Sequence, residues 1–293
     1  MAKVTKAVIL TAGFGTRFLP ITKSIPKEML PVVDKPIIQF VVEELVEAGI
    51  KDIIFIVSPY KQAIRDYFSP HPTLEAILKK SGKENEFSEV KKISTLANFS
   101  FICQKQTRGT GDAILTARAF VGNKPFLVLF GDDFIVAKPS RTKQLIEAFE
   151  KYQASVLGSI ETKNPEDGAR YGFVVGQLVS RGIFKIERLV EKPGVGKAPS
   201  SLAVVSGYVF TPEIFAALKK AQKKIGTKRE LHYIDGLNIL QKVQPIYALK
   251  FQNARYYDTG NKLGYLKTVV EFGLKNKDFG VEFRKFLQKL TRK

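Results

Sequence analysis

Residues 6–31 read K-A-V-I-L-T-A-G-F-G-T-R-F-L-P-I-T-K-S-I-P-K-E-M-L-P. The contiguous apolar run at 6–11 predicts a strand buried on both faces, and the glycines after it predict a loop. Working outward, an amphipathic stretch at 36–48 stops at Gly49, and a second apolar run follows at 52–58. Strand, loop, helix, glycine, strand is a βαβ opening, which implies a parallel sheet carrying helices on its faces.

The alternation continues. Buried strands are predicted at 99–104, 125–130 and 154–161, with helical patterns at 111–119 and 140–152. At 171–179 and 183–191 the period changes to two, and Ser180-Arg181-Gly182 between them predicts a β-hairpin, read as an excursion beside the main sheet. Residues 73–94 are polar with scattered Leu, Ile and Phe, which predicts a helical excursion. Residues 262–293 alternate apolar and basic side chains at helical spacing, so a C-terminal helical segment is expected to pack on the body or on another subunit. With no internal repeat or low-complexity linker, 1–293 is read as a single domain with appendages.

Composition removes several chemistries. Cys103 is the only cysteine and His71 and His232 the only histidines, which excludes an intrachain disulfide or cysteine-rich metal site and supplies little for a histidine triad or zinc site. No apolar run approaches the roughly 20 residues of a membrane helix, and the stretch at 7–12 is too short for a signal-peptide core, so a cytoplasmic protein without a membrane partner is expected. Lys+Arg 47 against Asp+Glu 28 gives a net charge of +19, which raises nucleic-acid binding. The basic residues are interspersed with acids, and only 285–293 resembles a basic patch; a solvated lysine-rich surface is the preferred reading, with no nucleic-acid partner. A positive field also suits small polyanions.

The loop after the first strand suits one. Gly13 and Gly15 allow backbone N–H groups to approach a phosphate closely, and Arg17, Lys23 and Lys27 follow within reach. A dinucleotide fingerprint would need glycine where Phe18 stands, and a Walker A loop would end Gly-Lys-Ser/Thr, so hydride transfer and P-loop chemistry are weak readings. Lys23 is equally suited to pairing with an acid. Further on, F-G-D-D follows an apolar run and puts Asp132 and Asp133 at the carboxyl edge of a strand, where open α/β sheets bind ligands.

The segment 10–31 closely resembles the signature of the sugar-phosphate nucleotidyltransferases, G-x-G-T-R-x-x-P-x-T-K-x-x-P-K-x-x-L-P. It is matched by Gly13, Gly15, Thr16, Arg17, Pro20, Thr22, Lys23, Pro26, Lys27, Leu30 and Pro31. Within that superfamily P-K-E-M-L-P is similar to the bacterial-type UTP–glucose-1-phosphate uridylyltransferases, where thymidylyltransferases usually carry Gln in place of Glu28. Three further segments follow in the family's order, so the resemblance covers nearly the whole chain. It implies a Rossmann-like three-layer α/β/α fold with a mixed, mostly parallel sheet. It also implies roles. Ala12, Gly13, Gly15 and Thr16 hold phosphates, and Arg17 and Lys27 stabilise the transferring and leaving phosphates. Glu28 contacts uracil, as does Gln104 in Q-K-Q-T-R-G-T-G-D-A, where Gly109 also belongs to the base loop and Gln106 is the rival. Asp132 is the Mg²⁺ ligand, with Asp133 second choice. Asp258 in Y-D-T-G lies by the sugar phosphate and can share the metal. Tyr171, Gly172 and Glu191 line the sugar pocket, and Lys192 holds the sugar's phosphate. Two departures fall on the sugar side. V-S-G-Y at 205–208 stands where V-G-R-Y is typical, read as a sugar-side turn. R-E-L-H-Y-I-D-G at 229–236 stands for G-E-I-Q-L-T-D-A, keeping Glu230 and Asp235.

The implied reaction is attack by the oxygen of glucose 1-phosphate on the α-phosphorus of UTP, giving UDP-glucose and pyrophosphate with Mg²⁺ as cofactor. The nucleophile is already anionic, so no protein nucleophile or general base is required, only positioning and charge neutralisation. A sister enzyme using dTTP or another sugar would share every phosphate-binding residue. A catalytically weak paralogue would be expected to lose Asp132 or Lys27. The resembled enzymes are homodimers or homotetramers, so a homo-oligomer is expected.

Overall fold

The computed structural model describes residues 2–291. Ala7, Val8 and Ile9 are wholly buried, as a strand between parallel neighbours must be. The following helix, Ile37–Glu47, buries Ile37, Ile38, Val41, Val42 and Leu45 on one stripe. It stops at Gly49, whose φ of 87° is the left-handed conformation that closes helix ends. Among the described residues the strands are β1 Lys6–Leu10, β2 Pro31–Val32, β3 Lys35–Pro36, β4 Asp52–Val57, β5 Asn98–Cys103, β6 Phe126–Phe130, β7 Phe134–Ala137, β8 Ser155–Glu161, β9 Gly172–Ser180, β10 Ile183–Glu191, β11 Leu202–Phe210, β12 Ile246–Lys250 and β13 Ala254–Tyr257.

Nine of these form one sheet in the order β5-β4-β1-β6-β11-β8-β12-β10-β9. β5, β4, β1 and β6 run parallel, and β8 and β12 are parallel to each other. The pairs β6–β11, β11–β8, β12–β10, β10–β9 and β11–β9 are antiparallel. The sheet is therefore mixed and mostly parallel in direction, seven of its nine strands running one way while β11, unread in the sequence, and β10 run against their neighbours. The hairpin is no excursion: β9 and β10 form the sheet's far edge, tied in by Ile183–Lys185 against β12. Its Ile183, Ile186 and Leu189 are buried there.

Successive residues of β1 face opposite sides, and each side carries its own core. Ile9 joins Phe55, Leu129 and the helices Ile37–Glu47 and Arg141–Tyr152, while Val8 joins Ile54, Val128 and the helices Thr110–Thr116, Glu213–Ile225 and Tyr233–Leu240. The segment 73–94 forms two helices, Pro72–Lys80 and Glu84–Thr95, with no buried residue in either. The C-terminal segment also forms two, Lys262–Lys275 and Gly280–Thr291. Residues 205–208 are not a turn but a bulge inside β11, where the register against β8 shifts between Val204 and Tyr208 and Gly207 takes φ 117°.

Candidate active site

A cavity of about 440 Å³ opens at the carboxyl ends of β1 and β6. Its rim is the glycine loop. Gly15, at φ 67°, sits against Lys27 and Thr22, and the Thr22 hydroxyl donates to the Gly15 carbonyl at 2.9 Å. Phe18 anchors the loop in the core, edge-on to Tyr265. The N–H groups of Ala12, Gly13, Phe14 and Gly15 donate to no other described residue, so the loop presents a row of free donors. The opposite wall is the 104–110 loop, which folds tightly on 230–232: a Cβ on Gly109 would stand 2.4 Å from the Leu231 carbonyl oxygen. Ala12, Gly13, Gly15, Thr16, Lys27, Glu28, Gln104, Gly109 and Asp132 all line this cavity. Gln106 does not; it faces Arg108, whose Nε donates to it at 2.8 Å. Lys23 is exposed and also stands outside.

The floor carries alternating charge. Lys61 Nζ donates to both oxygens of Glu28 at 2.7 Å, in a pair with 6% and 1% of its side-chain surface exposed. Burial pushes the Glu28 carboxyl up and the Lys61 ammonium down, each against the other's pull. Next along, Lys27 Nζ donates to Asp132. Burial opposes ionisation of both, yet the pairing prevails: Lys27 lies above the usual lysine value and Asp132 below the usual carboxylate value. Lys61 was not singled out in the sequence, where one lysine in a basic chain carries no local sign of burial.

A second cavity, of about 290 Å³, shares Thr110, Phe130, Asp132 and His232 with the first. Arg17, Tyr171, Gly172, Glu191, Lys192 and Asp258 line it. The hairpin register sets Gly172 opposite Glu191, so closely that a Cβ on Gly172 would stand 2.9 Å from Glu191 Oε2. Lys192 follows in left-handed backbone, φ 44°, a conformation held against a cost of about 1–2 kcal/mol by its N–H donating to the Tyr171 carbonyl. Tyr208, Tyr233 and Tyr256, none of them expected here, complete the wall.

The two acids meet because β7 and β13 form a ribbon pairing Phe134 with Tyr257. Continuing that register sets Asp132 beside Thr259, whose hydroxyl donates to the Asp132 carbonyl, and Asp133 beside Asp258. Asp258 Oδ2 accepts from Arg170 and from the Tyr171 hydroxyl at 3.1 Å, while Oδ1 accepts from the Gly260 N–H at 3.0 Å. Asp133 also lines the second cavity, where it accepts from the Tyr256 hydroxyl at 3.2 Å and pairs with Arg141, a fully buried guanidinium that also holds Glu44 at 2.8 Å. Burial pushes the Asp133 carboxyl up to about 7 despite that neighbour. Arg17 Nη1 donates to the Gly260 carbonyl at 3.2 Å. A Cβ on Gly260 would stand 3.2 Å from Asp258 Oδ1 and 3.4 Å from Asp132 Oδ2, so two hard oxygen donors converge on one point of the cavity edge. That donor set fits Mg²⁺, which takes one or two carboxylates and completes its shell with phosphate and water.

His232 and Glu230 also line the first cavity, and Arg170 the second. Glu230 and His232 lie in a quoted motif and Arg170 beside the expected Tyr171, yet residue type alone gave no sign of their facing a cavity. Among the described residues no helix is long and apolar enough to cross a membrane.

Comparison with known proteins bears on the fold and the family. Residues 6–271 match the Nucleotidyl transferase family. The chain is 43% identical over 294 residues to the UTP–glucose-1-phosphate uridylyltransferase of Bacillus subtilis strain 168, spanning 100% of this chain and 99% of that one. It superposes with a TM-score of 0.89 and 34% identity on a UTP-bound UGPase from Acinetobacter baumannii, covering 99% of this chain and 100% of that one. A UDP-glucose pyrophosphorylase crystallised with UDP-glucose gives 0.83 and 38%, covering 93% and 100%. An α/β chain with this mixed sheet, these two joined cavities and a match running through both belongs to the nucleotidyl transferase family.

Proposed function

We propose that this chain transfers the uridylyl group of UTP to glucose 1-phosphate, releasing pyrophosphate and UDP-glucose. The observation that carries this is the junction of the two cavities at Asp132, with Lys27 on one side and Arg17 and Lys192 on the other. Similarity to relatives named for this reaction along their full length supports it. We read the helices on both faces of the sheet as a three-layer, Rossmann-like α/β/α frame.

In this reading the triphosphate lies along the free N–H groups of residues 12–15, with its base against Gln104. Glu28, its oxygens held by Lys61, shapes the floor beneath the base. Glucose 1-phosphate enters the second cavity, where Glu191 accepts from sugar hydroxyls and Tyr171 and Gly172 shape the wall. Lys192 holds the nucleophile's phosphate in line. Arg17 and Lys27 neutralise charge on the transferring and leaving phosphates as the bond to the α-phosphorus forms and that to pyrophosphate breaks. Asp132, with Asp258 sharing, would hold Mg²⁺, which would supply further neutralisation of phosphate oxygens. Asp258 would join it through Oδ1, the oxygen that faces the point of convergence, leaving Oδ2 to Arg170 and Tyr171. The protein is read as cytoplasmic. A homodimer or homotetramer is supported by Leu263, Leu266, Val281, Phe286 and Leu290, exposed along the two C-terminal helices.

The test is pyrophosphate release with glucose 1-phosphate, Mg²⁺ and each of UTP, dTTP, ATP, CTP and GTP. Release with UTP that falls by about 10²–10³ in Asp132→Ala is expected. Release with dTTP alone would keep the chemistry and replace the base, the sister-enzyme reading.

A further inference from the structure

A glutamine amide reads a pyrimidine in either of two ways. With its oxygen toward the ring it accepts from N3–H of uracil, and its nitrogen serves a ring carbonyl. Turned over, its nitrogen donates to the unprotonated N3 of cytosine and its oxygen accepts from the exocyclic amine. Whatever pins the amide therefore chooses the base.

In this chain Gln104 is pinned. Its backbone N–H is held by the Val57 carbonyl at 2.8 Å, and its side chain is buried in the wall of the first cavity. Nε2 donates to Asp112 Oδ2 at 2.7 Å. Asp112 stands in the first turn of the helix Thr110–Thr116 and does not line that cavity. Its other oxygen accepts from Gln222 Nε2 at 3.4 Å, from the helix Glu213–Ile225, so the carboxylate is itself fixed from behind. A carboxylate only accepts, so the turned-over amide would set oxygen against oxygen and leave Nε2 without this partner. The amide oxygen of Gln104 accepts from no described residue, yet it is not a sealed, unsatisfied atom: Ser58 Oγ alone has that status among the described residues. It is thus an open acceptor.

We infer that Asp112 is a positioning residue for base selection: it locks the Gln104 amide with its oxygen free for uracil N3–H and so sets the enzyme against cytosine. The inference rests on the uridylyl reading, with Gln104 as the group facing the base. The residue touches no substrate. Its effect is negative as much as positive, since cytosine N3 would meet an oxygen lone pair in place of a donor.

The test is steady-state kcat/KM for UTP and for CTP, with glucose 1-phosphate and Mg²⁺, in the wild type, Asp112→Asn and Asp112→Ala. Asparagine can present either end to Gln104 and alanine presents neither, so both release the amide. The expected result is a fall of about ten- to a hundredfold in the UTP-to-CTP ratio in both variants, carried mainly by KM. A role confined to the fold would lower both nucleotides together and leave the ratio unmoved. Such an unmoved ratio, beside a wild-type preference for UTP, overturns the inference alone. A wild type without that preference overturns the uridylyl reading and the inference with it. Equilibrium binding of UTP and CTP to the same three proteins gives the ratio even where a variant turns over too slowly to assay.

Discussion

The two cavities are held by charge in opposite ways. Under the first, Lys61 and Glu28 are sealed, with both carboxylate oxygens engaged. Around the second, Arg170 and Asp258 expose 39% and 20% of their side-chain surface, and Lys192 lies 3.8 Å from Glu191 with more than half of its surface open. A sealed pair is set during folding and cannot change partners. An open one is screened by water, costs little to break and can transfer its hydrogen bonds to an arriving phosphate. The contrast assigns a fixed shape to the nucleotide side and adjustable contacts to the sugar side.

The strongest way to break the contrast is Lys61→Met. It leaves Glu28 buried without its partner, and urea denaturation is expected to show a loss of about 3–5 kcal/mol. Much of that should return in Lys61→Met/Glu28→Leu, which removes both charges; a loss below about 1 kcal/mol would make the two cavities alike.

A buried charge in the wall of the second cavity sharpens the comparison. Asp133, pushed up to about 7, binds its proton more tightly folded than unfolded. Its contribution to stability is therefore full below the unfolded value near 4 and is lost as pH rises through about 7. Asp133→Asn cannot ionise. Denaturation in chelator from pH 4 to 8 should show the gap between wild type and variant shifting against the wild type by up to about 4 kcal/mol.

Smaller effects belong to the open contacts. Lys192→Ala is expected to raise KM for glucose 1-phosphate about ten- to a hundredfold while KM for UTP stays within about twofold, as befits loss of one charged hydrogen bond on the sugar side. Smallest is the effect of Arg170→Ala on stability, under about 1 kcal/mol by thermal or urea denaturation, because its pair with Asp258 is solvent-exposed.

What could be read ahead of the structure follows the same division. One side of the first cavity comes from a single loop, through 12–16 with Lys27 and Glu28, and the hairpin base at Gly172 and Glu191 is local too, so there adjacency in sequence is adjacency in space. Asp132 was legible as an acid just beyond a buried strand, and Gln104 as the last residue of the strand read at 99–104. Lys61, Arg141, His232 and Arg170 were not, since a charged side chain in a basic chain shows its burial or partner only once distant elements close on it. The parallel β1, β4 and β6 announced themselves as apolar runs, whereas the parallel β12 was not read. β11 is as apolar, but Ser206-Gly207 interrupts it, and its direction is set by its neighbours.

The sequence by itself determined the βαβ opening, the glycine loop with its cations, the hairpin and the acids at a strand end, because periodicity, glycine and short spacing act within a few residues. Only the tertiary structure decided that β11 would run against both its neighbours, that the β7–β13 ribbon would bring Asp132 and Asp258 to one point, and that Asp112 would hold Gln104. Those outcomes depend on register between segments up to about 120 residues apart, which packing of two whole faces selects and no local pattern encodes.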